Sequence, residues 1–193
     1  MSATLKPPAP MTVDEFLDWP EDPTGARWQL VDGEPVMMEP ASPLHGAIQS
    51  NLGFILTAHL RAHRPGCHCI TAPGIQPHAR AGNNVRVPDL AVHCGSARRG
   101  EPLLNDPLMA VEILSISNRA QTWSNVWTYC SIPELREILV VHAASVMAEV
   151  LTRAEDGSWP KEFQRQGTLV TLGSIALSFP LADAYVGTEL THG

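Results

Sequence analysis

Arg86-Val-Pro-Asp-Leu-Ala-Val-His-Cys94 and Pro107-Leu-Met-Ala-Val-Glu-Ile-Leu-Ser115 are two apolar runs of strand length separated by a polar loop. Each has one carboxylate set in it, Asp89 in the first and Glu112 in the second. An ionised carboxylate in a buried strand is costly unless a cation, a hydrogen-bond network or a proton compensates it. Two of them on strands that can lie side by side point to a hard divalent cation between them. The backbone carbonyl of Ile113 is a candidate third oxygen. The alternative is that each acid sits at a strand end and meets solvent or an arginine. Alternation groups Val85, Val87, Asp89 and Ala91 on one face, and Ala110, Glu112 and Leu114 on another. If those faces coincide, the two carboxylates converge on one spot.

Outward from this pair, residues 43–64 carry Ile48, Leu52, Ile55, Leu56 and Leu60 at three- and four-residue steps, a helical stripe. At about 100° per residue, His45 falls near the Ile48 edge of the stripe and His59 near its centre, so both imidazoles are expected to point inward. Upstream, residues 28–38 read as two short strands around an Asp32-Gly33 turn. Thr12-Val-Asp-Glu15 has the form of a capping box opening a short helix. Downstream, residues 118–129 read as a helix and 136–142 as a strand. Short antiparallel strands are expected near 146–152, 162–164, 169–172 and 175–178. The order helix, strand, strand, strand, helix, strand predicts an α/β fold with a mixed central sheet between helices and extra antiparallel strands at the C-terminus.

The bulk properties bound the function. A length of 193 residues suits one domain, expected over residues 12–193 behind a flexible segment at 1–11. No stretch has the form of a signal peptide or the length of a membrane span. Cys67, Cys69, Cys94 and Cys130 are too few and too unevenly spaced for a disulfide framework. Reduced thiols and a cytoplasmic location are therefore expected, with no membrane partner and no organic cofactor.

The net charge of −7 is unevenly spread. Residues 1–40 hold two basic and eight acidic side chains, residues 41–100 hold six arginines and one acid, and residues 101–193 hold five basic and eleven acidic side chains. The middle third is where a polyanion is expected to be met.

Five segments carry a resemblance: residues 29–38 (QLVDGEPVMM), 40–48 (PASPLHGAI), 86–92 (RVPDLAV), 111–118 (VEILSISN) and 132–141 (IPELREILVV). Together they resemble the Uma family, a family of restriction-endonuclease-like proteins within the PD-(D/E)XK nuclease superfamily. The resemblance spans residues 11–153 or so. It implies a restriction-endonuclease-like core and a DNA endonuclease with Mg²⁺ (or Mn²⁺) on Asp89 and Glu112. Gln29 and His45 lie where the family places further active-site groups. The family usually has Glu at the position of Gln29 and Pro at that of Ile116. Its catalytic Lys sits on the following helix, four residues before a Tyr, and counting back from Tyr129 gives Asn125. The two lysines, Lys6 and Lys161, lie elsewhere, so Arg119 is the nearest cationic substitute and Arg86 a second candidate for phosphate or DNA contact. The resemblance thus supports a metal-dependent DNA endonuclease, and a homodimer is expected because two-fold symmetry suits double-strand cleavage. The competing reading is a catalytically impaired nuclease fold that binds nucleic acid or a protein partner.

Two further patterns have bland explanations. His59, His63, Cys67, His68 and Cys69 have soft-metal chemistry, but His68 points away from its cysteine neighbours on an extended strand, and ordinary core residues are expected. Trp123 and Trp127, one helical turn apart, are expected to form a packing ridge rather than a base-stacking platform.

Overall fold

The computed structural model describes residues 9–20, 24–96 and 99–191. The first eight residues, most of the expected flexible segment, and Arg98 lie outside the described residues.

The Glu112 run forms β5, Met109–Leu114, with all six residues buried. The Asp89 run forms β4, Leu90–Cys94. They pair antiparallel, Leu90 opposite Val111 and Val92 opposite Met109. The strand is shorter than the apolar run because Pro88 has no N–H to give a ladder. Val85 and Arg86 turn instead to other partners, bridging Leu30 and Ile75.

Six strands make a mixed sheet in the order β3-β4-β5-β6-β7-β8, with β3 at Cys67–Thr71, β6 at Glu137–His142, β7 at Ala148–Thr152 and β8 at Gln164–Arg165. Only β5 and β6 run parallel, Glu112 opposite Val140. That pairing requires a crossover, supplied by the helix at Arg119–Tyr129, here α3.

The long helix at Pro43–His63, α2, starts at a Ser42 cap whose hydroxyl accepts from the His45 N–H at 3.2 Å. Ile48, Leu52, Leu56 and Leu60 bury against Leu90, Val92, Val111 and Ile113. Each such side chain contributes about 1.5–3 kcal/mol by leaving water. Val126 and Tyr129 of α3 pack with Ala110, Leu114, Ile138 and Val140 on the opposite face. Glu112 lies in the same alternation as Ala110 and Leu114, so it faces α3.

The first hairpin, β1 at Trp28–Val31 and β2 at Glu34–Met37, turns at Asp32 (φ 52°) and Gly33 (φ 86°). Both turn residues are left-handed, as a tight hairpin requires. A side chain at Gly33 would also collide with Pro10. Leu30 and Val85 exchange backbone hydrogen bonds of 2.8 and 3.0 Å, which fixes the hairpin beside Asp89. The expected capping box closes the start of a short helix, α1 at Val13–Leu17.

The C-terminal strands divide. β7 and β8 extend the main sheet, whereas β9 (Leu169–Leu172) and β10 (Leu177–Pro180) form a separate hairpin packed against the α2 side. A 3₁₀ turn at Gly173–Ile175 joins them, anchored by the buried carboxylate of Glu137.

One expectation fails. Cys67 and Cys94, expected as reduced thiols, form a disulfide. They are 27 residues apart in sequence, but the β3–β4 register sets them directly opposite one another. Cys69 and Cys130 are free, with burial pushing each thiol up to about 11.

Candidate active site

A cleft of about 1000 Å³ opens between the first hairpin, the start of α2 and the first half of α3. Asp89 and Glu112 both line it. Asp89 sits just before β4, where its backbone carbonyl accepts from the Gln49 side chain (2.8 Å) and the Ala72 N–H (3.0 Å). Its Oδ2 accepts from the Ile113 N–H at 2.7 Å, and its Oδ1 lies 2.8 Å from His45 Nε2. Asp89 is therefore tied directly to the residue after Glu112. An extended residue directs its N–H and C=O to the same side of the strand, so the Ile113 carbonyl shares the Asp89 side.

Glu112 is only 5% exposed. Its Oε1 accepts from the Tyr129 hydroxyl at 2.7 Å. Burial holds its carboxyl well above the usual range and the negative charge of Asp89 raises it further, against the hydrogen bonds from Tyr129 and Asn125. Burial, and then the neighbouring Glu112, push the Tyr129 phenol up in turn.

Asn125 connects the rest. Its Oδ1 accepts from Arg86 Nη1 (3.2 Å) and Gln121 Nε2 (3.0 Å), and its Nδ2 makes a long contact of 3.4 Å to Gln29 Oε1. Gln29, His45 and Asn125 are buried yet line the cleft. Arg86 is buried behind Asn125, does not line the cleft, and leaves its Nε without a hydrogen-bond partner. Among the described residues no carboxylate pairs with this guanidinium, and burial lowers its pKa. Arg119 is exposed at the start of α3 and does not line the cleft, although Asn118 and Ala120 do.

Among the described residues, the arginines of the middle third do not line the cleft. Arg64 binds the Ser174 carbonyl, Arg80 pairs with Asp32 at 2.8 Å, and Arg86 is buried. Among the described residues, Arg27 is the one lysine or arginine lining the cleft.

Sequence reasoning used Tyr129 only to count back to Asn125 and missed its hydroxyl on Glu112. It also missed Gln49, although Gln49 lies one helical turn after His45. No His/Cys/Asp/Glu group of three suited to a metal occurs among the described residues, at the His59–Cys69 stretch or elsewhere. His59 binds the Ile175 carbonyl at 2.9 Å and stacks on His63. Trp123 and Trp127 both meet the edge of Phe163, as a packing ridge should. No helix among the described residues is long and apolar enough to cross a membrane.

A mixed sheet between helices, with two acids at the mouth of adjacent strands, is a nuclease-like architecture. The structure superposes on a crystal structure of a protein titled a "putative nuclease belonging to DUF820" from Anabaena variabilis ATCC 29413, with a TM-score of 0.71 and 18% identity. The match covers 91% of this chain and 98% of that one. The fold is restriction-endonuclease-like. Residues 13–182 match the model of the Uma2 family, described as "Putative restriction endonuclease", and the chain belongs to that family. No curated protein matches it.

Proposed function

We propose that this protein is a metal-dependent nuclease that hydrolyses phosphodiester bonds in nucleic acid, DNA first among them. The observation that carries the reading is the union of Asp89 and Glu112 at one cleft, with Asp89 bonded to the peptide that follows Glu112. The donor set fits a hard divalent cation: two carboxylates, one of them raised by burial and then by the charge of the other, and a carbonyl, that of Ile113, on the same side. Asp89, Glu112 and Ile113 would hold Mg²⁺ or Mn²⁺. When bound, such an ion activates water and stabilises charge on a phosphate.

The chain's own groups do the rest. His45 fixes the orientation of Asp89, and Tyr129 fixes Glu112. Asn125 and Gln29 orient a water at the cleft wall. Asn125 has no charge to offer, and Arg86, one hydrogen bond behind it, supplies positive potential instead of touching the substrate. Arg119 serves the backbone of a bound strand at the cleft's edge.

Nicking of plasmid DNA with Mg²⁺ or Mn²⁺ tests this. Asp89→Ala should lower the rate by about 10³-fold or more, equivalent to roughly 4 kcal/mol of barrier. Wild-type protein that cleaves neither DNA nor RNA, or cleavage indifferent to the substitution, refutes the reading.

Two observations favour a second reading, a fold that binds without cutting. Asn125 stands where the family's lysine is expected, and both oxygens of Asp89 already have protein partners. Salt-dependent DNA binding without hydrolysis would establish it.

A further inference from the structure

We infer that the cleft takes an unpaired nucleic-acid strand (a tail, a frayed end or a single-stranded segment) and not an intact duplex. This rests on the nuclease reading above and goes beyond it in naming the form of substrate.

The charge of the cleft is the first argument. Duplex binding draws most of its affinity from lysines and arginines that neutralise several phosphates on the surface of the helix. Here Arg27 shares the cleft lining with three acids, Glu39, Asp89 and Glu112. Arg61 and Arg64 stand at the far end of α2, roughly 25 Å from His45 at 1.5 Å per residue. Arg80 pairs with Asp32 at the turn of the first hairpin and does not line the cleft, and Arg86 is buried. Among the described residues the cations beside the mouth are Arg27 and, at its edge, the exposed Arg119, fewer than a duplex lying across it draws on.

Depth is the second. The acids that would hold the ion are recessed: Glu112 is 5% exposed and the Asp89 side chain 17%. The scissile phosphate must descend into a space of about 1000 Å³. That is the upper end of cavities that enclose small molecules, with room for a few nucleotides of one strand.

The lining is the third. Val36, Met37, Met38 and Pro40 form one wall, and Val87 and Pro88 stand beside Asp89. Met37 is 56% exposed on a strand held by its hairpin partner. Apolar, polarisable side chains of this kind suit the faces of unpaired bases, which a duplex keeps stacked and hidden. Cleavage of one strand in such a cleft also needs no second active site related by two-fold symmetry.

The test offers one labelled strand three ways to the full-length protein with Mn²⁺: alone, fully paired, and paired with an unpaired tail, as DNA and as RNA. Cleavage of the lone strand and of the tail should exceed that of the paired strand by at least about tenfold, a difference near 1.4 kcal/mol. Met37→Glu should slow the single-strand reaction severalfold while leaving the thermal melt in place. Equal or faster cutting of the fully paired strand overturns the inference and spares the nuclease reading. If nothing is cut, the nuclease reading falls, and fluorescence anisotropy with Ca²⁺ decides the substrate form. A lone strand bound at least about tenfold tighter than the duplex supports it; equal binding, or binding of neither, overturns it.

Discussion

Glu112 and Glu137 lie on neighbouring strands of one sheet, 5% and 2% exposed, and their surroundings differ in kind. Glu137 accepts from the Gly173 N–H (2.9 Å), the Ser174 N–H (3.0 Å), the Ser174 hydroxyl (2.6 Å) and the Thr152 hydroxyl (3.2 Å). Its charge is spent on fastening the β9–β10 turn to β6. Glu112 has the Tyr129 hydroxyl and the Asn125 amide, and the negative charge of Asp89 beside it. One glutamate is satisfied by its own chain. The other, buried beside a second carboxylate, keeps its proton well above the usual range, as fits the cation-binding role proposed for it.

The largest effect that can break this contrast is on stability. Glu137→Ala should cost roughly 2–3 kcal/mol, because it takes the shared acceptor from two backbone N–H groups and a hydroxyl of the half-buried turn. Denaturant melts measure it, and a loss as small as that of an exposed residue would remove the structural role.

Glu112→Gln should act oppositely. The Glu112 carboxyl keeps its proton to higher pH in the folded chain than in the unfolded one. Its neutral form therefore favours folding fully below the unfolded value of about 4.3, and that contribution is lost as pH rises through the raised folded value. An amide at this position does not titrate. The variant should melt a few degrees above the wild type at pH 8, and the gap should close towards pH 4. A lower melt at pH 8 would show that the ionised carboxylate stabilises the chain.

The smallest stability change belongs to Arg86→Met. A buried cation with no carboxylate partner contributes little to folding, and an apolar replacement of similar length should shift stability by less than about 1 kcal/mol. Cleavage should fall far more than stability does. Parallel loss of both would reduce Arg86 to a packing residue.

Much of the architecture was legible because it is local. The Asp32-Gly33 turn, the Thr12 capping box and the apolar stripe of α2 are each written within a few residues. Asp89 and Glu112 stood out because a carboxylate in an apolar run violates the strand's own pattern. Helical phase turned His45 inward and the family resemblance put it near the site; its Nε2 lies 2.8 Å from Asp89.

What stayed hidden depends on register and on distant segments. The Cys67–Cys94 bond exists because antiparallel pairing sets the two residues opposite each other, which spacing along the chain does not reveal. Glu137 finds its partners some 36 residues downstream. Arginine counts placed positive charge near Asp89, but a count is blind to Arg80 pairing with Asp32 and Arg86 turning inward.

The central claim is that Asp89 and Glu112 share one divalent cation, and calorimetric titration of the full-length protein with Mn²⁺ tests it most directly. One site should appear in the wild type, bind more tightly as pH rises because Glu112 must release its proton, and vanish in both Asp89→Asn and Glu112→Gln. No binding in the wild type, or binding that survives either substitution, would contradict it.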